Sequence, residues 1–236
     1  MAAATGEWTV FDPRTPILTC SYSFGPSVAR SLAVGADEGF FVISPPAGIA
    51  RGAMEQLRGY GPIRALVAPN AFHHLGLVDW HTRFPEATVF APQQSIERVK
   101  RHTKIDDIRP LSEAASISGP RAELVDMPHY RTGELLLRIR TEAGIVWYVT
   151  DVITNLSELP RNPLFKLLYR VSGSAPGLKF NNFAALAMVR RKKALKRWLA
   201  EQIDAAPPRW LIPAHGEIAA IGDQPETLRR VVSPAP

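Results

Sequence analysis

The sequence has very little cysteine and no long apolar stretch. Cys20 is its only cysteine among 236 residues, which excludes an intramolecular disulfide. A lone thiol is typical of reducing compartments, and we predict that Cys20 is a small buried hydrophobe rather than a nucleophile. No segment offers about 18 uncharged apolar residues, and the start lacks the basic and apolar regions of a secretory signal. We therefore expect a cytoplasmic protein without a membrane span.

Charge of one sign is only in modest excess. The 28 Lys and Arg residues against 22 Asp and Glu residues leave a net charge of +6. The densest basic cluster, at 190–197, overlaps a segment in which Leu195, Leu199 and Ile203 recur at four-residue spacing. These basic residues are therefore predicted to form the solvated face of a helix. No nucleic-acid-binding motif accompanies them, so no nucleic-acid partner is expected.

Short apolar segments alternate with helical patterns along the chain, which predicts a layered α/β architecture. With 46% apolar and 21% charged residues, positions 1–236 are predicted to form a single domain. One helix is predicted over 183–203. The stretch 155–182 is predicted to be irregular, apart from an apolar segment at 164–169. That segment is predicted to be a core-facing helix, with a lid or a partner surface as the alternative.

Potential metal ligands follow four of the predicted strands. His73 and His74 come after a strand ending near residue 68, and His129 follows one ending near 127. Asp151 and His215 likewise follow strands. Because the carboxyl ends of strands form the ligand-binding edge of layered α/β folds, these side chains are candidates to converge. Imidazole and carboxylate donors together suit zinc, iron or manganese.

The same segments resemble motifs of the metallo-β-lactamase-fold superfamily, in matching order across about residues 15–220. The resemblance implies a single-domain, four-layer αββα sandwich. The matching pieces are His74-Leu75-Gly76, Pro128-His129-Tyr130-Arg131-Thr132-Gly133, Thr150-Asp151 and Pro213-Ala214-His215-Gly216.

The first motif departs from the superfamily pattern of His-x-His-x-Asp-His. In the register of His74-Leu75-Gly76, Pro69 and Ala71 stand at the first two histidine positions, and His73 stands at the aspartate position. The segment is more similar to an uncharacterised branch marked by Pro-Asn-x-x-His-His. A shifted register would place Asn70 at the first histidine position, but it loses the His-Leu-Gly match.

The resemblance implies one divalent ion rather than two, because two ligands of the first site are missing. The ion, zinc with iron or manganese as alternatives, is expected on His73, His74, Asp151 and His215. His129 would be a further ligand or a base beside the bound water. Metal-bound hydroxide would then hydrolyse a small ester, lactone, amide or phosphoester, with Asp151 orienting the water.

The substrate is expected to be a small molecule, and the positive site favours an anionic one. Tyr130 and Arg131 are expected to line the pocket, with Arg131 as an anion partner. Two alternatives stay open. One is a non-haem iron oxidoreductase, and the other is a metal-free binding module of the same fold that uses the apolar segment 164–169.

Overall fold

The first of two large β-sheets occupies the amino-terminal half of the chain. The computed structural model describes residues 6–25, 27–36, 39–49, 51–159 and 162–233. The sheet has seven strands in sequence order, antiparallel from the first to the fourth and parallel from the fourth to the seventh. They are β1 (Trp8–Asp12), β2 (Ile17–Phe24), β3 (Ser27–Ala36), β4 (Gly39–Ile43), β5 (Ile63–Val67), β6 (Thr88–Ala91) and β7 (Ile108–Pro110).

The second sheet has five strands in the order β14-β13-β10-β9-β8, with β10 and β13 parallel. A separate antiparallel pair, β11-β12, lies between β10 and β13 in sequence. The strands are β8 (Ala122–Asp126), β9 (Leu135–Thr141), β10 (Gly144–Val149), β11 (Ile153–Leu156), β12 (Gly177–Phe180), β13 (Pro208–Pro213) and β14 (Ala219–Ala220).

Helices cover the outer faces of both sheets. The described helices are α1 (Arg51–Arg58), α2 (Leu77–Arg83), α3 (Ile96–Thr103), α4 (Ala115–Ser118), α5 (Pro163–Val171), α6 (Asn182–Met188), α7 (Lys192–Ala205) and α8 (Glu226–Val232). None of the helices in the described ranges is long and apolar enough to cross a membrane.

The alternation of side chains in β4 shows how the layers form. Phe40 and Val42 pack with the helices α1, α2 and α3, whereas Phe41 and Ile43 point to the space between the sheets. Successive side chains of a strand face opposite sides, so a continuously apolar strand fits between two cores. A third core joins the outer face of β9 and β10 to α6, α7 and α8. The result is the predicted four-layer αββα sandwich.

Two local predictions are confirmed. Cys20 is buried, and burial, together with the nearby charge of Glu7, raises the pKa of its thiol to about 12. On α7, Leu195, Leu199 and Ile203 are buried in the third core, and Lys192 and Lys193 are exposed. The basic residues therefore lie on the outer face of this helix, as the spacing indicated.

Three other local predictions are wrong. The single helix expected over 183–203 is two helices, because Val189 is extended and forms a β-bridge with Tyr130. The apolar segment 164–169 does form a helix, α5, but none of its residues is buried. Around it, the stretch predicted to be irregular contains the paired strands β11 and β12.

Candidate metal centre

Three strand ends bring together one imidazole, one carboxylate and a second imidazole. His73 lies in the loop after β5, Asp151 lies two residues after the end of β10, and His215 lies two residues after the end of β13. One potential ligand atom from each lies within 4.8 Å of those of the other two. Within the described ranges, this is the group of three or more His, Cys, Asp or Glu side chains placed to hold a metal ion.

His73 is oriented by a chain of hydroxyl groups. Its Nδ1 lies 3.0 Å from Ser44 Oγ, and Ser44 Oγ lies 3.1 Å from the hydroxyl of Tyr22. Ser44 directly follows β4 and has a left-handed φ of 54°. Because this contact occupies Nδ1, the Nε2 atom of His73 is the one that faces Asp151 Oδ2, at 3.5 Å.

His215 is oriented by strand β3. Its Nδ1 lies 3.1 Å from the carbonyl oxygen of Val28, and Arg30 Nη1 donates to the carbonyls of Pro213 and Gly216 on either side. A carbonyl can only accept, so Nδ1 of His215 carries the hydrogen. Nε2 of His215 is then directed at Asp151 Oδ1, at 3.2 Å.

Asp151 is held by an amide that also contacts a second carboxylate. Asn70 Nδ2 donates to Asp151 Oδ2 at 2.7 Å and to Glu134 Oε2 at 2.9 Å. The fully buried Glu134 also accepts from the backbone N–H of Thr150 and Asp151 and from the Thr150 hydroxyl. The side-chain oxygen Oδ1 of Asn70 accepts from the backbone N–H of Phe72 and of His73. One side chain therefore ties the β5 loop to the end of β10.

Burial and the charges of neighbouring groups together shift the pKa values of this cluster in opposite directions. Burial opposes ionisation of Asp151, but His73 and His215 hold its pKa well below its usual range. Burial lowers the pKa of His215, but the hydrogen bond and charge of Asp151 more than offset it and raise that pKa. Burial, followed by the charge of Asp151, raises the pKa of Glu134 to about 8. Asp151 is therefore the carboxylate that carries the negative charge between the two imidazoles.

This donor set fits a divalent cation. Two imidazoles and one carboxylate are a common protein ligand set for a catalytic zinc ion, and they also suit iron. His73 and His215 each have Nδ1 engaged by another group, which leaves Nε2 toward the common centre. Such outer contacts fix ring orientation in metal sites. The Asp151 side chain is 16% exposed and that of His215 17%, so solvent reaches the cluster.

The structure does not bring the other predicted residues into this group. The ring of His74 lies against that of His102, with 5.3 Å between centroids. His129 has a left-handed φ of 68°, and its carbonyl accepts from the backbone N–H of Arg190. Tyr130 is 4% exposed, whereas Arg131 is exposed and donates its backbone N–H to Met188.

Three residues of the centre were not identified as site residues from the sequence. Ser44 directly follows a strand, so the strand-end rule that selected the histidines applies to it as well. Asn70 belongs to the Pro-Asn-x-x-His-His segment, and the less favoured register of that segment placed it at the first histidine position. Glu134 directly precedes β9, and no pattern distinguishes it from an exposed charge at a strand start.

Comparisons with known proteins identify the fold. No protein-family model matches the sequence, and no curated protein matches it. A metallo-β-lactamase from Erythrobacter litoralis is 14% identical, with 98% of this chain and 94% of that one covered and a TM-score of 0.62. A metallo-β-lactamase from Pontibacter korlensis is 13% identical, with 96% of this chain and 98% of that one covered and a TM-score of 0.62. A mutant flavo di-iron protein from Thermotoga maritima is 12% identical, with 95% of this chain and 60% of that one covered and a TM-score of 0.62. The chain therefore has the metallo-β-lactamase fold that its motifs predicted.

Proposed function

We propose that this protein is a hydrolase that depends on a single divalent cation held by His73, Asp151 and His215. Zinc is the first candidate for this cation. The convergence of these three donors within 4.8 Å of one another carries the proposal. In such a site a divalent cation acts as a Lewis acid, which makes water a better nucleophile near neutral pH and polarises a carbonyl or phosphoryl oxygen. A small ester, lactone, amide or phosphoester would be the substrate.

The side chains of the protein itself would hold and orient the reacting groups. Asp151 supplies the negative charge of the centre and can accept a hydrogen bond from an attacking water. Asn70 keeps the Asp151 carboxylate in place through the 2.7 Å hydrogen bond to Oδ2. Ser44 and the Val28 carbonyl keep the two imidazole rings turned inward. The acyl or phosphoryl group would approach from the side on which His215 and Asp151 are partly exposed.

The roles of the loop 128–133 belong to the same proposal. His129 would act as a base beside the water, and Arg131 would bind an anionic substrate group. Arg131 is exposed, as such a contact needs. Tyr130 lies close enough to the centre for the charges of Glu134 and Asp151 to add to burial in raising the pKa of its hydroxyl.

Metal analysis tests the ligand assignment. Protein purified without chelator should contain about one equivalent of zinc, iron or manganese per chain, and less than about 0.2 equivalents would contradict the proposal. The variants His73→Ala, Asp151→Ala and His215→Ala should lose the metal. His74→Ala is the matched control, because His74 is next to His73 in sequence but lies outside the group, and this variant should keep the metal. Loss of metal in His74→Ala alone would show that the ligands are assigned wrongly.

Activity measurements separate hydrolysis from the alternatives. Hydrolysis of generic esters or phosphodiesters should fall by about 10²-fold or more in Asp151→Asn, while circular dichroism shows that the variant stays folded. The structural similarity to a flavo di-iron protein favours one alternative, an iron oxidoreductase. Iron content with oxygen consumption and no hydrolysis would support that alternative. A cellular effect that survives loss of all three ligands would support a metal-free binding module.

A further inference from the structure

Helix α5 presents an apolar face to solvent. This α5 apolar face consists of Leu164, Leu167, Leu168 and Val171, whose exposed fractions are 63%, 57%, 37% and 79%. At 100° per residue the four side chains share one side of the nine-residue helix. Burial of these side chains against a partner would be favourable by roughly 25 cal/mol per Å² of apolar surface. An apolar face that is this exposed therefore indicates a binding surface.

A different side of α5 holds the helix on the body of the protein. The rings of Phe165 and Tyr169 pack on Phe183, with centroids 6.1 Å and 5.2 Å apart. At the amino-terminal end of α5, the Asn162 side chain caps the helix by accepting hydrogen bonds from the backbone N–H groups of Leu164 and Phe165. The helix is therefore formed and anchored before any partner binds, and its apolar face is fixed outward.

Positive charge is concentrated in the part of the chain that contains this face. Positions 159–200 contain no Asp or Glu and ten of the 28 Lys and Arg residues, although the whole chain has a net charge of only +6. Two of these cations, Lys166 and Arg170, are on α5 itself. The basic start of α7 lies close by, since Lys192 Nζ is 3.4 Å from Asn182, whose amide donates to the carbonyl of Ser172. In the part of the chain that the structure describes, none of the ion pairs involves a Lys or Arg of this stretch.

We propose that the α5 apolar face and the cations around it dock on the surface of an anionic lipid bilayer. An amphipathic helix lies in the plane of the interface with its apolar side chains below the headgroups, and flanking Lys and Arg side chains contact anionic headgroups. Lys166 and Arg170 have long aliphatic stems that suit this position. The docking is peripheral, and it does not depend on the proposed hydrolysis.

Charge and side-chain type favour a lipid surface over two other partners. A second copy of this chain, docked through the same face, would bring Lys166 and Arg170 close to identical cations, and like charges repel. A nucleic acid would use the cations but would gain little from four exposed aliphatic side chains, because base recognition relies on aromatic stacking and hydrogen bonding. An anionic bilayer satisfies both the apolar face and the charge.

Vesicle sedimentation tests this docking. The protein of residues 1–236 should sediment with vesicles of phosphatidylcholine and phosphatidylserine but not with vesicles of phosphatidylcholine alone. A double variant, Leu167→Glu with Val171→Glu, should reduce the bound fraction about tenfold. Both replaced side chains are already exposed, so the fold should persist. Val78→Glu is the matched control, because Val78 is an exposed apolar residue on α2, at 43% exposed, and it should bind like the parent protein.

Charge reversal provides the second arm. Lys166→Glu with Arg170→Glu should also reduce binding about tenfold, whereas Arg101→Glu, an exposed cation on α3, should have little effect. The proposal is overturned if the protein ignores anionic vesicles or if the apolar variant binds them like its parent. The proposal is also overturned if the protein is a dimer in solution and the Leu167→Glu, Val171→Glu variant is a monomer, because the α5 apolar face would then bind a second copy of the chain. Hydrolysis of soluble substrates by the apolar variant should stay unchanged, which separates this test from that of the proposed function.

Discussion

The amide of Asn70 lies between two carboxylates and donates to both, at 2.9 Å from Glu134 Oε2 and 2.7 Å from Asp151 Oδ2. Its other atom, Oδ1, accepts from two backbone N–H groups of the loop that carries His73. A residue with both a donor and an acceptor is needed here, and aspartate could supply only acceptors. The geometry of the metal centre therefore depends on hydrogen bonds between side chains that lie far apart in sequence.

Asn70→Ala should lower both stability and metal affinity. It leaves buried acceptors and backbone donors without partners, so the free energy of unfolding should fall by about 2–3 kcal/mol. Urea denaturation measures the loss, and metal titration measures the affinity. Gln93→Ala, at an exposed position, is the control and should leave both unchanged. An Asn70→Ala protein as stable as its parent would show that water replaces the amide at little cost.

Gly216 is the residue whose backbone permits the loop that carries His215. Its φ is +99°, and a Cβ atom there would collide with the backbone carbonyl of Asn155, with which it forms a β-bridge. Gly216→Ala should therefore cost more than about 2 kcal/mol and weaken metal binding. Gly52→Ala is the control, because Gly52 lies in α1 with free space around it. That control should be neutral or gain up to about 1 kcal/mol, and equal effects of the two in thermal unfolding would contradict the argument.

Among the elements, α7 and α5 show what apolar spacing can and cannot predict. The four-residue spacing of Leu195, Leu199 and Ile203 marks the buried side of α7, and the structure confirms it. The apolar residues of α5 predicted a helix too, but the side that they form faces solvent. Spacing reports that a helix is amphipathic, whereas the surrounding elements decide whether anything covers its apolar side.

Leu199→Ala should destabilise the contact between α7 and the second sheet. Leu199 is fully buried in the third core, so the substitution leaves a cavity and should cost about 2–5 kcal/mol. Lys193→Ala, on the exposed face of the same helix, should change stability by less than about 0.5 kcal/mol. Chemical denaturation compares the two. Similar losses in both variants would mean that the helix is stabilised mainly through its outer face.

For the whole molecule, a metal bound across three strand ends should couple binding to stability. His73 follows a strand of the first sheet, and Asp151 and His215 follow strands of the second. A cation on all three therefore links the two sheets, and any ligand that binds only the folded state stabilises it. The prediction of a single domain over 1–236 and that of a cytoplasmic location stay predictions.

Removal of the metal should lower the melting temperature. At a free metal concentration of a hundred times Kd, the bound ion adds about 2.7 kcal/mol to the free energy of unfolding. Scanning calorimetry with and without a chelator measures the change. Asp151→Asn should melt at the same temperature in both conditions, because it lacks the anionic ligand. A chelator effect of equal size in parent and variant would place the ion elsewhere.

The amino-acid sequence by itself determined the layered α/β architecture, the strand ends that carry His73, Asp151 and His215, and the buried side of α7. These follow from local periodicity and from the rule that functional side chains follow strands, and neither needs knowledge of distant contacts. Only the tertiary structure decided that His73 rather than His74 faces Asp151, because neighbouring residues of a loop point in different directions. It also decided that Asn70 and Glu134 meet across 64 positions and that nothing in the described chain covers the α5 apolar face. Such outcomes depend on which elements come together, which no local pattern records.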